Sequence, residues 1–240
     1  MPIYIGTSGW SHDHWKGPFY PSEMRGKQFF EYYCASFGTV EINNSFYRLP
    51  SETTVAAWRD AAPGGFIFSV KGSWYITHKK KLLEPARTVP GFIDRVGLLG
   101  SKLGPILFQL PPRFRLNEER LSAFLEALPP DHRYTIEFRD ASWFDKSIEG
   151  LLSRHGVALC IFQFGDLVSP LWVTADFVYV RLHGPAGPYL GSYSRGQLEE
   201  WGAALSSWSS QGKDVYCYFN NDESGFAPQN AATLQDMLRG

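Results

Sequence analysis

The sequence predicts one closed (β/α)8 TIM-type barrel over residues 1–240, with the helix after the sixth strand reduced or missing. Three observations carry this. Short β-rich runs alternate with helical stretches about eight times, with no linker or low-complexity segment between them, and such alternation implies parallel strands. Each run has its polar residues at its C-terminal end, the end at which barrels of this kind build their sites. No G-x-G-x-x-G and no P-loop follows any strand, which counts against an open doubly wound sheet, the other architecture that alternation allows.

The elements follow in order. Ile3 to Gly6 is the first strand, and Thr7 to Gly17 follows it as a shaped loop holding Trp10 and Trp15. A helix is expected from Lys27 to Phe37, where Phe29, Phe30, Tyr33 and Phe37 recur at helical spacing. Thr39 to Asn43 is the second strand, and a helix from Glu52 to Ala62 precedes the third, Phe66 to Val70. Lys71 to Leu82 is a long excursion, and long βα loops carry function. A helix near Phe92 to Leu99, a strand from Pro105 to Leu110 and a helix from Asn117 to Leu128 come next, Asn117 being placed to cap that helix. Tyr134 to Phe138 is the fifth strand and Lys146 to His155 its helix, closed by Gly156. Val157 to Phe162 is the sixth strand, and Gln163 to Asp176 contains Pro170 and no helical period. The seventh strand begins at Phe177, Ser194 to Ser210 is a helix, Asp214 to Phe219 is the eighth strand, and the last helix ends near Leu238.

Composition narrows the function classes. A hydrophobic content of 44% and a charged content of 20% allow a full core, and 16% aromatic residues is high. A net charge of -1 gives no global field for holding nucleic acid or an anionic membrane. Cys34, Cys160 and Cys217 are widely spaced in apolar contexts, as reduced core thiols are. The opening Ile3-Tyr-Ile is strand-like, and no signal-peptide region or long apolar run occurs, so the expected location is cytoplasmic, with no membrane partner.

The stretch Phe177 to Gly184 shows how the site is placed. Side chains two apart on a strand share a face, so Arg181 and His183 point one way and Val180 and Leu182 the other. The same alternation pairs Glu41 with Asn43, Ser69 with Lys71, Glu137 with Arg139 and Tyr218 with Asn220, and Gln109 ends its own run. These polar groups are too many to bury for stability alone, because each needs partners. Lys71, Arg139 and Arg181 against Glu41 and Glu137 leave a positive excess, which suits a phosphate or carboxylate. Glu41, Glu137, His78 and His183 could in principle ligate a metal, but their spacing matches no compact site and three cations oppose a divalent ion, so none is expected. No motif calls for a cofactor. Glu41 and Glu137 as a glycosidase pair would not require the cations. Trp10, Trp15, Trp74 and Trp143 share the predicted loop end of the barrel, where rings beside the Lys79 to Lys81 run could stack a base or pack the loops.

Gly6-Thr-Ser-Gly-Trp-Ser with Trp15 and Phe19-Tyr-Pro21, Val40-Glu-Ile-Asn with Phe46-Tyr47, Tyr75-Ile-Thr-His78, Leu107-Phe-Gln-Leu-Pro-Pro112, Glu137-Phe-Arg139, Tyr179-Val-Arg-Leu-His-Gly184 and Tyr218-Phe-Asn-Asn221 together resemble the YecE-like family, also called domain of unknown function 72. The resemblance runs from the first strand to the last helix. It implies a TIM barrel with a polar pocket at its C-terminal face and supplies no reaction. Asp140 and Gln163 depart from the family's pattern.

The expected function is an enzyme acting on a small anionic or phosphorylated substrate by general acid/base chemistry. Glu137, His183 and His78 are the candidate catalytic residues. Glu41, Asn43, Lys71, Gln109, Arg139, Arg181, Tyr218, Asn220 and Trp10 are the candidate substrate-binding residues. A nucleic-acid binding or processing module, endonuclease-IV-like in fold, and a scaffold with a vestigial pocket are the alternatives.

Overall fold

The protein's structure, a computed structural model, describes residues 1–239. Its strands are β1 (Ile3–Thr7), β2 (Thr39–Ile42), β3 (Ile67–Lys71), β4 (Leu103–Gln109), β5 (Tyr134–Glu137), β6 (Ala158–Phe164), β7 (Leu167–Val168), β8 (Phe177–Leu182) and β9 (Asp214–Phe219). All but β7 are parallel and lie in the order β1-β9-β8-β6-β5-β4-β3-β2. The short β7 folds back antiparallel on the end of β6 where a helix would otherwise lie, so the reduced sixth unit is a hairpin.

The barrel closes between β1 and β2 by a means other than a full ladder. One parallel bridge joins Ser8 to Glu41, and the Tyr33 hydroxyl spans the rest. It accepts from the Thr7 amide at 2.9 Å and donates to the Thr39 carbonyl at 3.0 Å. Those two backbone groups would otherwise be buried unpaired.

Strand alternation sorts the core into two shells. Val178, Val180 and Leu182 of β8 face outward into the layer between sheet and helices. Phe177 and Tyr179 face inward, with Leu107, Cys160, Phe162 and Tyr218, and fill the barrel. All three cysteines are free, Cys160 and Cys217 buried and Cys34 partly so.

Seven main helices, Phe29–Ser36, Glu52–Ala61, Pro90–Gly97, Glu118–Glu126, Lys146–Arg154, Arg195–Ser210 and Phe226–Arg239, cover the strands. The expected cap at Asn117 forms, its Oδ1 accepting from the Arg120 amide at 2.9 Å. Two boundaries differ in ways that matter to the site. β3 runs on to Lys71, paired with Leu107 of β4, and β6 to Phe164, paired with Leu167 of β7, each beyond its predicted end because a neighbouring strand extends the ladder past the local β-propensity signal. The excursion after β3 is built as a π-helical turn, Tyr75–Lys79. None of the described helices is long and apolar enough to cross a membrane.

Candidate functional site

At the C-terminal ends of the strands the expected polar ring forms, in two tiers. The lower tier is paired largely within itself, with only Nε of the Arg181 guanidinium buried without a partner. Arg181 of β8 is 1% exposed and donates from Nη1 to Glu137 Oε2 and from Nη2 to Glu41 Oε1, both at 2.8 Å. Glu41 also accepts from the Ser8 hydroxyl on Oε1 and the Tyr179 hydroxyl on Oε2, each at 2.7 Å. The Tyr218 hydroxyl lies 2.7 Å from Thr39 Oγ1 and 2.8 Å from Ser69 Oγ. Burial alone would raise the Glu137 pKa, but Arg139 and Arg181 outweigh it and hold the carboxyl well below the usual carboxylate range.

Several expectations change here. Arg181, expected to grip a ligand, instead links two buried carboxylates, since two acids this deep need a cation between them. Glu41 and Tyr218, expected to touch substrate, are engaged inside the barrel. Glu137, expected as general acid or base, is wholly buried, and Arg139 and Arg181 favour its ionised form.

The upper tier is less committed. Arg139 places Nη2 against Glu137 Oε1 and 3.1 Å from His183 Nε2, and its guanidinium carbon lies 3.8 Å from the centre of the Phe164 ring. Its Nε and Nη1 are buried without a hydrogen-bond partner. Lys71 reaches over the Phe46 ring at 4.2 Å, and no described carboxylate forms an ion pair with it. Burial and nearby Arg181 bring its pKa down from 10.5 to about 8, although Glu137 and Glu41 pull it upward. His78 packs edge-on to the same Phe46 ring, and Thr77 Oγ1 stands 2.9 Å from its Nδ1. Burial, then Lys71, lower the His78 pKa to about 4.

His183 has a partner at each ring nitrogen. An arginine can only donate, so His183 Nε2 accepts from Arg139, and in a neutral ring Nδ1 must then carry the proton. The Asn220 amide stands 3.0 Å from Nδ1, and this tautomer requires that amide to present its oxygen. Burial, then Arg181, push the imidazole well below its ordinary pKa. Both ring nitrogens are thus engaged, so His183, expected as a proton-transfer partner, is placed to orient Arg139 and Asn220.

Gln109 is half-buried and stands in register with Glu137 on the neighbouring strand. Asn43 presents a buried Oδ1 without a partner and lines, with Trp10 and His12, a cleft of about 160 Å³ at the same end of the barrel. Trp10 itself packs against Phe30 and Trp58 with ring centres 4.9 and 5.8 Å away, so its role is first that of a wall. Trp15 and Trp143 are fully buried, Trp10 is partly exposed and Trp74 is exposed, so two of the four rings expected at this end are closed off from stacking a base. Lys80 is paired with Glu84 and Lys81 lies over the Phe114 ring, so the basic run is largely committed locally. Glu41, Glu137, His78 and His183 do not converge as a ligand set among the described residues. Sequence reasoning overlooked Ser8, Tyr179 and Phe164. Tyr179 was detectable, because it stands two residues before Arg181 and so shares its face.

Comparison with known proteins agrees with this architecture. Residues 4–240 match the family model described as "Protein of unknown function DUF72". The chain is 27% identical to the UPF0759 protein YunF of Bacillus subtilis, over 98% of this chain and 94% of that one. It is 32% identical to the UPF0759 protein YecE of Escherichia coli K12, over 65% of this chain and 55% of that one. A crystal structure of a DUF72 family protein from Thermotoga maritima superposes with a TM-score of 0.91 at 28% identity, covering 100% of both chains. A second, from Enterococcus faecalis, gives 0.85 at 21% identity, covering 99% of this chain and 96% of that one, a likeness of fold alone. With a family model matched from the first strand to the last helix and that barrel shared, the chain belongs to the DUF72 family.

Proposed function

We propose that the upper tier binds a small anion bearing a phosphate or carboxylate, and that Lys71 carries the proton in an enzymatic reaction on it. One observation carries this reading: Arg139 has Nε and Nη1 buried without a partner, and Lys71, half-buried over the Phe46 ring, is in no ion pair with a described carboxylate. Buried charge without a partner is costly, and an anion between these two groups would offset that cost with charge-assisted bonds. The lower tier supports the arrangement by fixing Arg139 through Glu137. With its pKa brought to about 8, Lys71 can give or take a proton near neutrality, which the deeply ionised Glu137 and the fully engaged His183 do not offer. Gln109, Asn43 and Asn220 would orient the ligand, and His78 would stand beside Lys71.

Thermal melts of the wild type, Lys71→Met and Arg139→Met in phosphate, sulfate and a panel of phosphorylated and carboxylated metabolites test the reading. An anion at about one hundred times its Kd should stabilise the wild type by about 2.7 kcal/mol, a rise of several degrees. Both variants should lose that rise. If no anion shifts the wild type, or the variants shift equally, the upper tier is not an anion site.

A further inference from the structure

We propose that the loops following β1 and β9 hold a divalent first-row transition-metal ion between His12, His14 and Asp222, none of which belongs to the anion tier. One ligand atom from each of the three lies within 4.8 Å of the others, the only such set among the described residues. His12 Nδ1 is 3.6 Å and His14 Nε2 4.0 Å from Asp222 Oδ2. An ion bound at about 2.0–2.2 Å to each atom needs only small side-chain movements from these positions.

The surroundings fit an ion better than a plain ion pair. The His12 ring is held from two sides. Its Nε2 lies against Gly9, where φ is +97° and an added Cβ would stand 2.9 Å away, so only glycine leaves room for the ring. The Trp15 ring, 4.5 Å away centre to centre, supports the imidazole from a second side. That seating leaves Nδ1 toward Asp222. No described residue donates a well-formed hydrogen bond to the Asp222 carboxylate, and the lysine of the loop after β1, Lys16, is paired with Asp13 at 3.0 Å. His14 Nε2 now donates to the Asp222 carbonyl at 2.7 Å, and the ion would take the place of that proton. All three side chains are partly exposed, which gives a hydrated ion a path in.

Two imidazole nitrogens and one carboxylate oxygen select a zinc-like ion over magnesium or calcium, and three protein ligands leave a coordination position open. The ion would also tie the first and last units of the barrel together above the β1–β9 ladder, since His12 and His14 precede the first helix and Asp222 precedes the last.

The test uses the full chain after treatment with EDTA. Titration with Co²⁺, followed by its absorption, and with Zn²⁺, followed by calorimetry, should give one ion per chain. His14→Ala and Asp222→Asn should weaken binding about tenfold or more. Both positions are exposed enough for the variants to fold, which unchanged circular dichroism and metal-free melts would establish. Zn²⁺ should raise the melting temperature of the wild type and not of these variants. Binding of less than one ion per chain, or equal binding by wild type and folded variants, overturns the site.

Discussion

Arg181 is enclosed by protein and faces two carboxylates, and that combination determines what its loss must do. In Arg181→Met, Glu41 keeps only the hydroxyls of Ser8 and Tyr179, and Glu137 keeps only Arg139 as a cation in contact. Removing one partner of a buried ion pair costs about 3–5 kcal/mol, so denaturant melts should lose that much, and a loss below about 1 kcal/mol would contradict the network. The pH dependence carries two opposite signs. Glu137 has its folded pKa below the ordinary 4.5, so its contribution is full above that value and is lost as pH falls beneath it. Lys71 has its folded pKa lowered from 10.5 to about 8, so burying its charge costs stability in full below about 8, and the cost is relieved as pH rises toward 10.5. Lys71→Met should therefore lack the part of the wild type's stability gain that falls in this window. Anion affinity of the wild type should fall as pH passes about 8, because Lys71 then loses the charge that holds the ligand.

At the scale of elements, the weak place in the barrel is the β1–β2 seam, where one hydroxyl stands in for a ladder. Tyr33→Phe leaves the Thr7 amide and the Thr39 carbonyl without their shared partner, at a cost of about 1–3 kcal/mol. Gly6→Ala should cost more. A Cβ at Gly6 would lie 2.3 Å from the Thr39 carbonyl oxygen and 3.0 Å from the Tyr33 hydroxyl, and the nearer obstacle is backbone that cannot swing aside. Chemical denaturation of both variants checks the order: a Gly6→Ala chain as stable as wild type would mean that the strands at the seam can part freely.

For the whole molecule, the sequence revealed most where a rule is local. Period-two alternation placed Glu137 with Arg139 and Arg181 with His183 on inward faces, and the missing sixth helix was legible in Pro170 and an aperiodic run. What it could not reveal is pairing across the barrel. Arg181 meets Glu41 from 140 residues away, and nothing near either residue distinguishes a cation that binds carboxylates from one that binds a ligand. The same non-local character governs folding. β1 pairs with β9 from Ile3↔Val215 to Thr7↔Phe219, so closure waits for nearly the whole chain. The last helix, Phe226–Arg239, then covers that junction, with Ala227, Ala231 and Leu234 fully buried and the Gln235 side chain donating to the Ile5 carbonyl at 3.2 Å. A chain ending at Gly225 keeps every strand and every residue of both tiers, yet it bares the outer faces of the first and last strands together. It should melt without a sharp transition and expose apolar surface to a hydrophobic dye. A cooperative melt at the wild-type temperature would show instead that the strand ladder alone holds the barrel shut.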